Sequence, residues 1–285
     1  GHHLTPSRFF FRSVEFVPKR GEQVELEITD LTPKGDGYAN VGDLEFVVRG
    51  AVPDDRVQAT VRKKRGKTFE ATTEGILTSK MIRVPAACPH FGICGGCRWQ
   101  DLSYEDQLQL KQRMVVNALA GFGVKCEDVS PILPSSQSFF YRNKMEFSFG
   151  CDREGNRQLG LHVRGRYNRV FDLVSCNLQS EVSNGIVAAI RRHADELEIP
   201  IYDPHSHEGV LRFLVVRDAK SNGRVFVNLV VADFPNEKVE MLTEKVIAEI
   251  AEIDTFVVTL HKGKAQVAMG EREFVMQGAG SILET

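Results

Sequence analysis

The stretch Cys88-Pro89-His90-Phe91-Gly92-Ile93-Cys94-Gly95-Gly96-Cys97 divides the chain into two parts of different character. Residues 84–100 hold three cysteines, three glycines and two prolines. Such a segment packs as neither helix nor strand, so it reads as a loop organised by something other than backbone pairing. Upstream, residues 17–78 read as all-β. Val24, Leu26 and Ile28 alternate with Glu25 and Glu27, the period of a half-buried strand. The glycine-rich turn Gly35-Asp36-Gly37-Tyr38 follows, then apolar runs at 44–48, 56–62 and 69–77. Short strands separated by turns predict a small barrel. Downstream, Ser103 opens a predicted helix with Asp106 as its capping-box partner, Leu108, Val115, Leu119 and Phe122 on one face, and Gly121 and Gly123 at its end.

Residues 130–285 mix strands and helices. In 139–149, Tyr141, Met145, Phe147 and Phe149 face one way and Arg142, Lys144, Glu146 and Ser148 the other. Residues 178–198 and 236–252 read as helices, and 255–260 as a strand. The runs 211–217 and 225–231 flank Asn222-Gly223, a strong hairpin signal.

At 285 residues the chain suggests two domains, and 42% apolar content supplies a real core. A formal charge of -2 excludes a globally basic nucleic-acid wrapper but not a local basic stripe. No apolar run is long enough to span a membrane, so none is expected as a partner. Phe9-Phe10-Phe11 is too short for a signal-peptide core, Gly1-His2-His3 reads as a tag remnant, and the expected compartment is the cytoplasm. Six cysteines in a reducing compartment are read for metal before they are read for disulfides.

Cys88, Cys94 and Cys97 have the spacing C-x5-C-x2-C. Glycines let the chain curl around an ion, and free N–H groups can point at cluster sulfides. An iron–sulfur cluster takes four cysteines, which leaves Cys126, Cys151 and Cys176 as candidates for the fourth. Cys176 is preferred because it ends a strand-like run and begins a helix, where N–H groups stabilise a thiolate. The residues alone leave a cluster, a structural zinc and no metal all open.

The same region resembles a known family. Gly35-Asp36-Gly37-Tyr38-Ala39, Val52-Pro53, Arg83-Val84-Pro85, the cysteine loop, and Trp99-Gln100-Asp101-Leu102-Ser103-Tyr104-Glu105-Asp106-Gln107-Leu108-Gln109-Leu110-Lys111 occur in order. Together with Tyr141-Arg142-Asn143-Lys144 and the Asp172–Cys176 segment, they resemble the bacterial RNA uracil-5-methyltransferases from about residue 20 onward. The resemblance implies an α+β chain. Residues 17–80 would form a five-stranded OB-like β-barrel of TRAM type that binds RNA. Residues 84–285 would form an α+β central domain with an Fe–S loop at 84–100. Residues 1–16 are left as tag and extension. The resemblance further implies a 4Fe-4S cluster on Cys88, Cys94, Cys97 and Cys176. It also implies S-adenosylmethionine as methyl donor in the full-length enzyme, and RNA, in particular 23S rRNA, as the partner of a monomer. In such enzymes a cysteine thiolate adds to uracil C6, C5 takes the methyl group, and a carboxylate removes the C5 proton from a flipped base.

The chain departs from the family near Gly278-Ala279-Gly280-Ser281, about where the catalytic domain would begin. No glycine-rich strand-to-helix turn with a downstream acid is present. Ser175-Cys176-Asn177 is followed by Leu178 where the family's nucleophile motif has proline. The expectation is therefore that the Rossmann-like methyltransferase domain lies beyond residue 285, that the chain holds no catalytic residue, and that by itself it is inactive.

Candidate RNA contacts follow from charge. Arg62, Lys63, Lys64, Arg65 and Lys67 place five cations in six residues, as either a phosphate-tracking patch or a solvated hairpin tip. Tyr38 either stacks on a base or packs in the barrel. Arg142 and Lys144 share a strand face, and Arg164 and Arg166 sit at a predicted hairpin tip.

Overall fold

The computed structural model describes residues 17–124 and 129–284, so the expected tag at 1–16 and Cys126 lie outside the described residues. The chain folds as two compact units, 1–82 with 106–131 and 83–105 with 132–285.

The first unit is a six-stranded sheet of β1 (Gln23–Glu27), β2 (Asp30–Leu31), β3 (Gly37–Val41), β4 (Leu44–Arg49), β5 (Arg56–Arg65) and β6 (Thr68–Thr78). Their order is β1-β5-β6-β4-β3-β2, with β4 and β6 parallel and the other pairs antiparallel. The alternation read from the sequence places Val24, Leu26 and Ile28 in the core beside Val48, Val57 and Val61. Phe46 and Phe69 pair across the parallel strands with ring centroids 5.2 Å apart. Two glycines of the quoted turn have different reasons. Gly35 takes φ +79. At Gly37 a Cβ would meet the Ala51 carbonyl and the Ile28 side chain at 2.9 Å, so close approach rather than dihedral freedom requires glycine there. Helix α1 (Tyr104–Gly121) buries Asp106 and Leu110 and leaves Val115 and Phe122 exposed, so the expected apolar face was drawn in the wrong register. Its Arg113 donates to the Thr29 carbonyl and Asn117 to Asp30, tying it to the start of β2.

The second unit is built on a seven-stranded mixed sheet. Its strands are β7 (Lys144–Cys151), β8 (Arg157–His162), β9 (Val170–Asp172), β10 (Leu211–Asp218), β11 (Val225–Val231), β12 (Ile253–Leu260) and β13 (Arg272–Gln277). The order is β13-β12-β11-β10-β7-β8-β9. Helices α2 (Glu181–Glu196) and α3 (Glu237–Glu249) bury Ile186, Ile190, Leu242 and Val246 in one core with Phe147, Leu214, Leu229 and Phe256 of the sheet. The β10–β11 hairpin forms at Asn222-Gly223, with Gly223 at φ +71. Strands β11 and β12 are parallel, which obliges a crossover, and α3 is that crossover.

The expected fold class is corrected on two counts. The first unit's sheet has six strands rather than five, because residues 30–31 pair with β3 as a short edge strand. The second unit is not an addition from which methyltransferase-type architecture is missing. Its mixed sheet contains one parallel β11-α3-β12 unit, and its other strand pairs are antiparallel.

Candidate functional site

A cavity of about 470 Å³ in the second unit is lined by Cys88, Cys94, Cys97 and Cys176. The loop that carries the first three is fixed by its own hydrogen bonds. Cys94 N–H donates to the His90 carbonyl, and Cys88 N–H to Gln100 Oε1 at 2.7 Å. Gln100 Nε2 lies 3.7 Å from the Cys97 sulfur and Gly96 N–H 3.3 Å from that of Cys94, so donors are already aimed at two sulfurs. The loop is pinned to the sheet where Cys94 bridges Val163 and Gly95 N–H donates to the His162 carbonyl.

Cys176 approaches from the β9–α2 connection and is buried. It does not open the helix as expected: α2 starts at Glu181 with Ser180 as N-cap. Its position is set instead by Asn184, whose Oδ1 accepts from Cys176 N–H at 2.8 Å and whose Nδ2 donates to the Cys176 carbonyl at 3.1 Å. His90 adds a second tie. Its ring is buried against Phe171, and its Nε2 accepts from Val174 N–H at 2.9 Å. Burial lowers the His90 pKa, consistent with a neutral ring that accepts at Nε2.

Burial pushes the Cys97 thiol up to about 11 and the Cys94 thiol upward as well. The neighbouring cysteines push in the same direction, and Arg164 opposes them. Thiolate is the ligating form, and a cation held among the cysteines would offset the burial that keeps Cys94 and Cys97 protonated. The donor set therefore suits a metal group. No three His, Cys, Asp or Glu side chains among the described residues are arranged to hold a single ion. A tetrahedral zinc at about 2.3 Å from each sulfur would draw the sulfurs to within about 4 Å of one another.

Arg142, Lys144, Glu146 and His162 also line this cavity. The remaining expected contacts lie elsewhere or are already engaged. Arg164 is half-buried and donates to the Cys97 carbonyl, so it faces the cysteine loop rather than solvent, while Arg166 is exposed. On the β5–β6 hairpin Arg62 pairs with Glu74 at 2.7 Å, Arg65 with Glu70 at 3.3 Å, and Lys64 lies over the Phe69 ring. Lys63 and Lys67 are exposed on the same hairpin. Tyr38 is half-buried on β3, and its hydroxyl donates to Asn40. Gln100 and Asn184 went unassigned in the sequence. Gln100 stood in a motif without a readable role, and nothing local marked Asn184.

The chain is a homologue of proteins named RNA methyltransferases. It is 36% identical over 225 residues to an uncharacterized RNA methyltransferase of Caldanaerobacter subterraneus subsp. tengcongensis, covering 79% of this chain and 50% of that protein. It is 32% identical over 284 residues to one from Chlorobaculum tepidum, covering 93% of this chain and 59% of that protein. The chain thus spans about half the length of these relatives. No family model matches it. Among solved structures, the Pyrococcus abyssi tRNA (uracil-54, C5)-methyltransferase in complex with S-adenosyl-L-homocysteine has a similar fold, with a TM-score of 0.66 at 21% identity. The match covers 92% of this chain and 57% of that one. With that likeness, the expectation that a methyltransferase fold is missing is withdrawn, and the expected inactivity of the chain has no support. No helix among the described residues is long and apolar enough to cross a membrane.

Proposed function

We propose that the chain serves S-adenosylmethionine-dependent methylation of uracil C5 in RNA, with 23S rRNA as the substrate. In this reading Cys88, Cys94, Cys97 and Cys176 hold a 4Fe-4S cluster. The observation that carries it is the meeting of these four cysteines at one cavity beside Arg142 and Lys144, in a homologue of RNA methyltransferases. When bound, the cluster supplies a four-point covalent tie between the 88–97 loop and the Cys176 segment. The chain's own residues prepare that site: His90 and Asn184 hold the Cys176 segment, Gln100 and Gly96 direct N–H groups at sulfur, and Arg164 offsets thiolate charge.

Uracil C5 and S-adenosylmethionine are supported by the solved neighbour, whose complex holds the demethylated cofactor product. No residue of this chain is assigned to that cofactor. Gly278 and Gly280 have positive φ, but a Cβ at Gly278 would meet the Asp254 carbonyl at 2.1 Å, so this pair closes a packed turn rather than a nucleotide cradle. Residues 17–80 serve as a TRAM-type RNA-binding barrel. Lys63 and Lys67 contact phosphate, Arg62, Lys64 and Arg65 add charge beside them, and Tyr38 is a stacking contact. Arg142, Lys144 and Arg166 are RNA contacts on residues 84–285. The protein acts as a cytoplasmic monomer. A transfer-RNA substrate is the second reading, and the neighbour's own substrate favours it.

The test uses the natural protein that contains this sequence, purified without oxygen and given radiolabelled methyl donor with unmodified 23S rRNA or tRNA. The expected product is 5-methyluridine in 23S rRNA. Label in tRNA alone would select the second reading, and label in neither would refute both. Iron and sulfide analysis should return about four of each per chain, lost in Cys176→Ala. One zinc without iron would replace the cluster with a zinc site.

A further inference from the structure

The face of the seven-stranded sheet turned away from α2 and α3 carries a second open cavity, of about 580 Å³. Strand register sets its floor. Lys144 on β7 pairs with Arg217 on β10, which pairs with Phe226 on β11. Two cations and an aromatic ring therefore stand side by side at strand spacing, about 4.8 Å apart. Ser148 faces Phe213 two rows further along the same face. Both phenylalanines are half-buried, so each ring keeps a solvent-facing side.

The rim is residues 266–269, where Met269 is 72% exposed. That rim is anchored. The buried Arg212 donates to the carbonyls of His261, Gly263 and Ala265 at 2.6–2.8 Å, and its guanidinium lies 4.1 Å from the Tyr202 ring centroid. Lys144, Glu146 and His162 line both this cavity and the cysteine-lined one, so the two surfaces are continuous.

We infer that this sheet face is a platform for single-stranded RNA, with Phe213 and Phe226 stacking bases and Arg217 holding a phosphate. Arg142 continues the line toward the cysteines. Lys144 and Arg217 are balanced in this lining by Glu146 and Glu273, so the cation left for a phosphate is Arg217. Lys144 is paired with Glu146 at 2.5 Å, but Arg217 is exposed and makes no ion pair among the described residues. Rings interleaved with cations on an open sheet suit unpaired bases, whose faces are available for stacking, whereas a duplex hides them. The inference rests on the RNA reading above and adds to it a surface and the single-stranded state of the ligand.

The test titrates the chain into a fluorescein-labelled single-stranded RNA, with the matching duplex as a second probe. Phe226→Leu keeps an apolar side chain and removes the ring; Arg217→Gln removes one exposed charge. Each should weaken single-strand binding about tenfold while duplex binding changes little. Arg217→Gln should also reduce the salt dependence by about one phosphate contact, and Phe226→Leu should not. If Phe226→Leu unfolds early, Arg217→Gln at its exposed position carries the test alone. No RNA binding by the wild type would remove the RNA reading itself. Equal binding by wild type and both variants would leave that reading standing and overturn the platform. So would variants that alter self-association but not RNA affinity, because the face would then belong to a protein contact.

Discussion

Replacing Arg212 with methionine tests how the rim of the sheet-face cavity is held. The arginine is 3% exposed, and its two terminal nitrogens donate to three carbonyls of the 261–265 segment. Each such charge-assisted bond has a net value of about 1.5–3 kcal/mol, and the three are not additive because they share one group. Methionine keeps apolar contact with the Tyr202 ring, and Lys262 and Lys264, exposed in the same segment, show that its carbonyls can reach water after a small shift. The expected loss is therefore about 3–4 kcal/mol, or roughly 10 °C in melting temperature for a unit of this size. Trp99, the chain's one tryptophan, belongs to the same unit, so urea unfolding followed by its fluorescence reads this unit directly. Arg212→Lys should fall between wild type and Arg212→Met, since an ammonium cannot span three acceptors as a planar fork does. A loss below about 1 kcal/mol for Arg212→Met would refute the assignment of the segment's order to this side chain.

Gly160→Ala should prevent native pairing of β8 with β9, because the new methyl would meet the Phe171 carbonyl at 2.1 Å; a folded variant with wild-type stability in urea would contradict this. The α2–α3 contact should be pH-dependent. Hydrogen bonds from Arg192 and then His193 hold the Glu249 carboxyl below its usual 4.5, so its stabilisation is full above that value and lost as pH falls through the lowered one. Melting curves of wild type and Glu249→Gln should accordingly converge below about pH 4.5, and a gap that persists in acid would count against the ion pair. Asn184→Ala should release Cys176 without touching a sulfur: metal content should fall while the fold, followed by Trp99 fluorescence, is retained. Full metal loading in that variant would show that Asn184 does not position Cys176.

Much of the second unit could be read locally. Met145, Phe147 and Phe149 are buried while Lys144, Glu146 and Ser148 face the other way, as the alternation requires. Tyr141 broke the pattern because it precedes β7 and is half exposed. The α1 face failed for a related reason. Period marks which positions align, but tertiary packing buried Leu110 and left Val115 and Phe122 exposed.

By itself the sequence determined strands β1, β4–β7 and β10–β12, the hairpin at Asn222-Gly223 and the loop character of residues 84–100, because these follow from backbone geometry over a few residues. Only the tertiary structure decided which distant side chains meet. It brought Cys176 beside a loop some eighty positions earlier, turned Arg164 onto that loop, engaged Arg62 and Arg65 with Glu74 and Glu70, and lined up Lys144, Arg217 and Phe226 across three strands. Strand register and loop anchoring are long-range properties, and a charge or a thiol has no local mark that tells which neighbour the fold will give it.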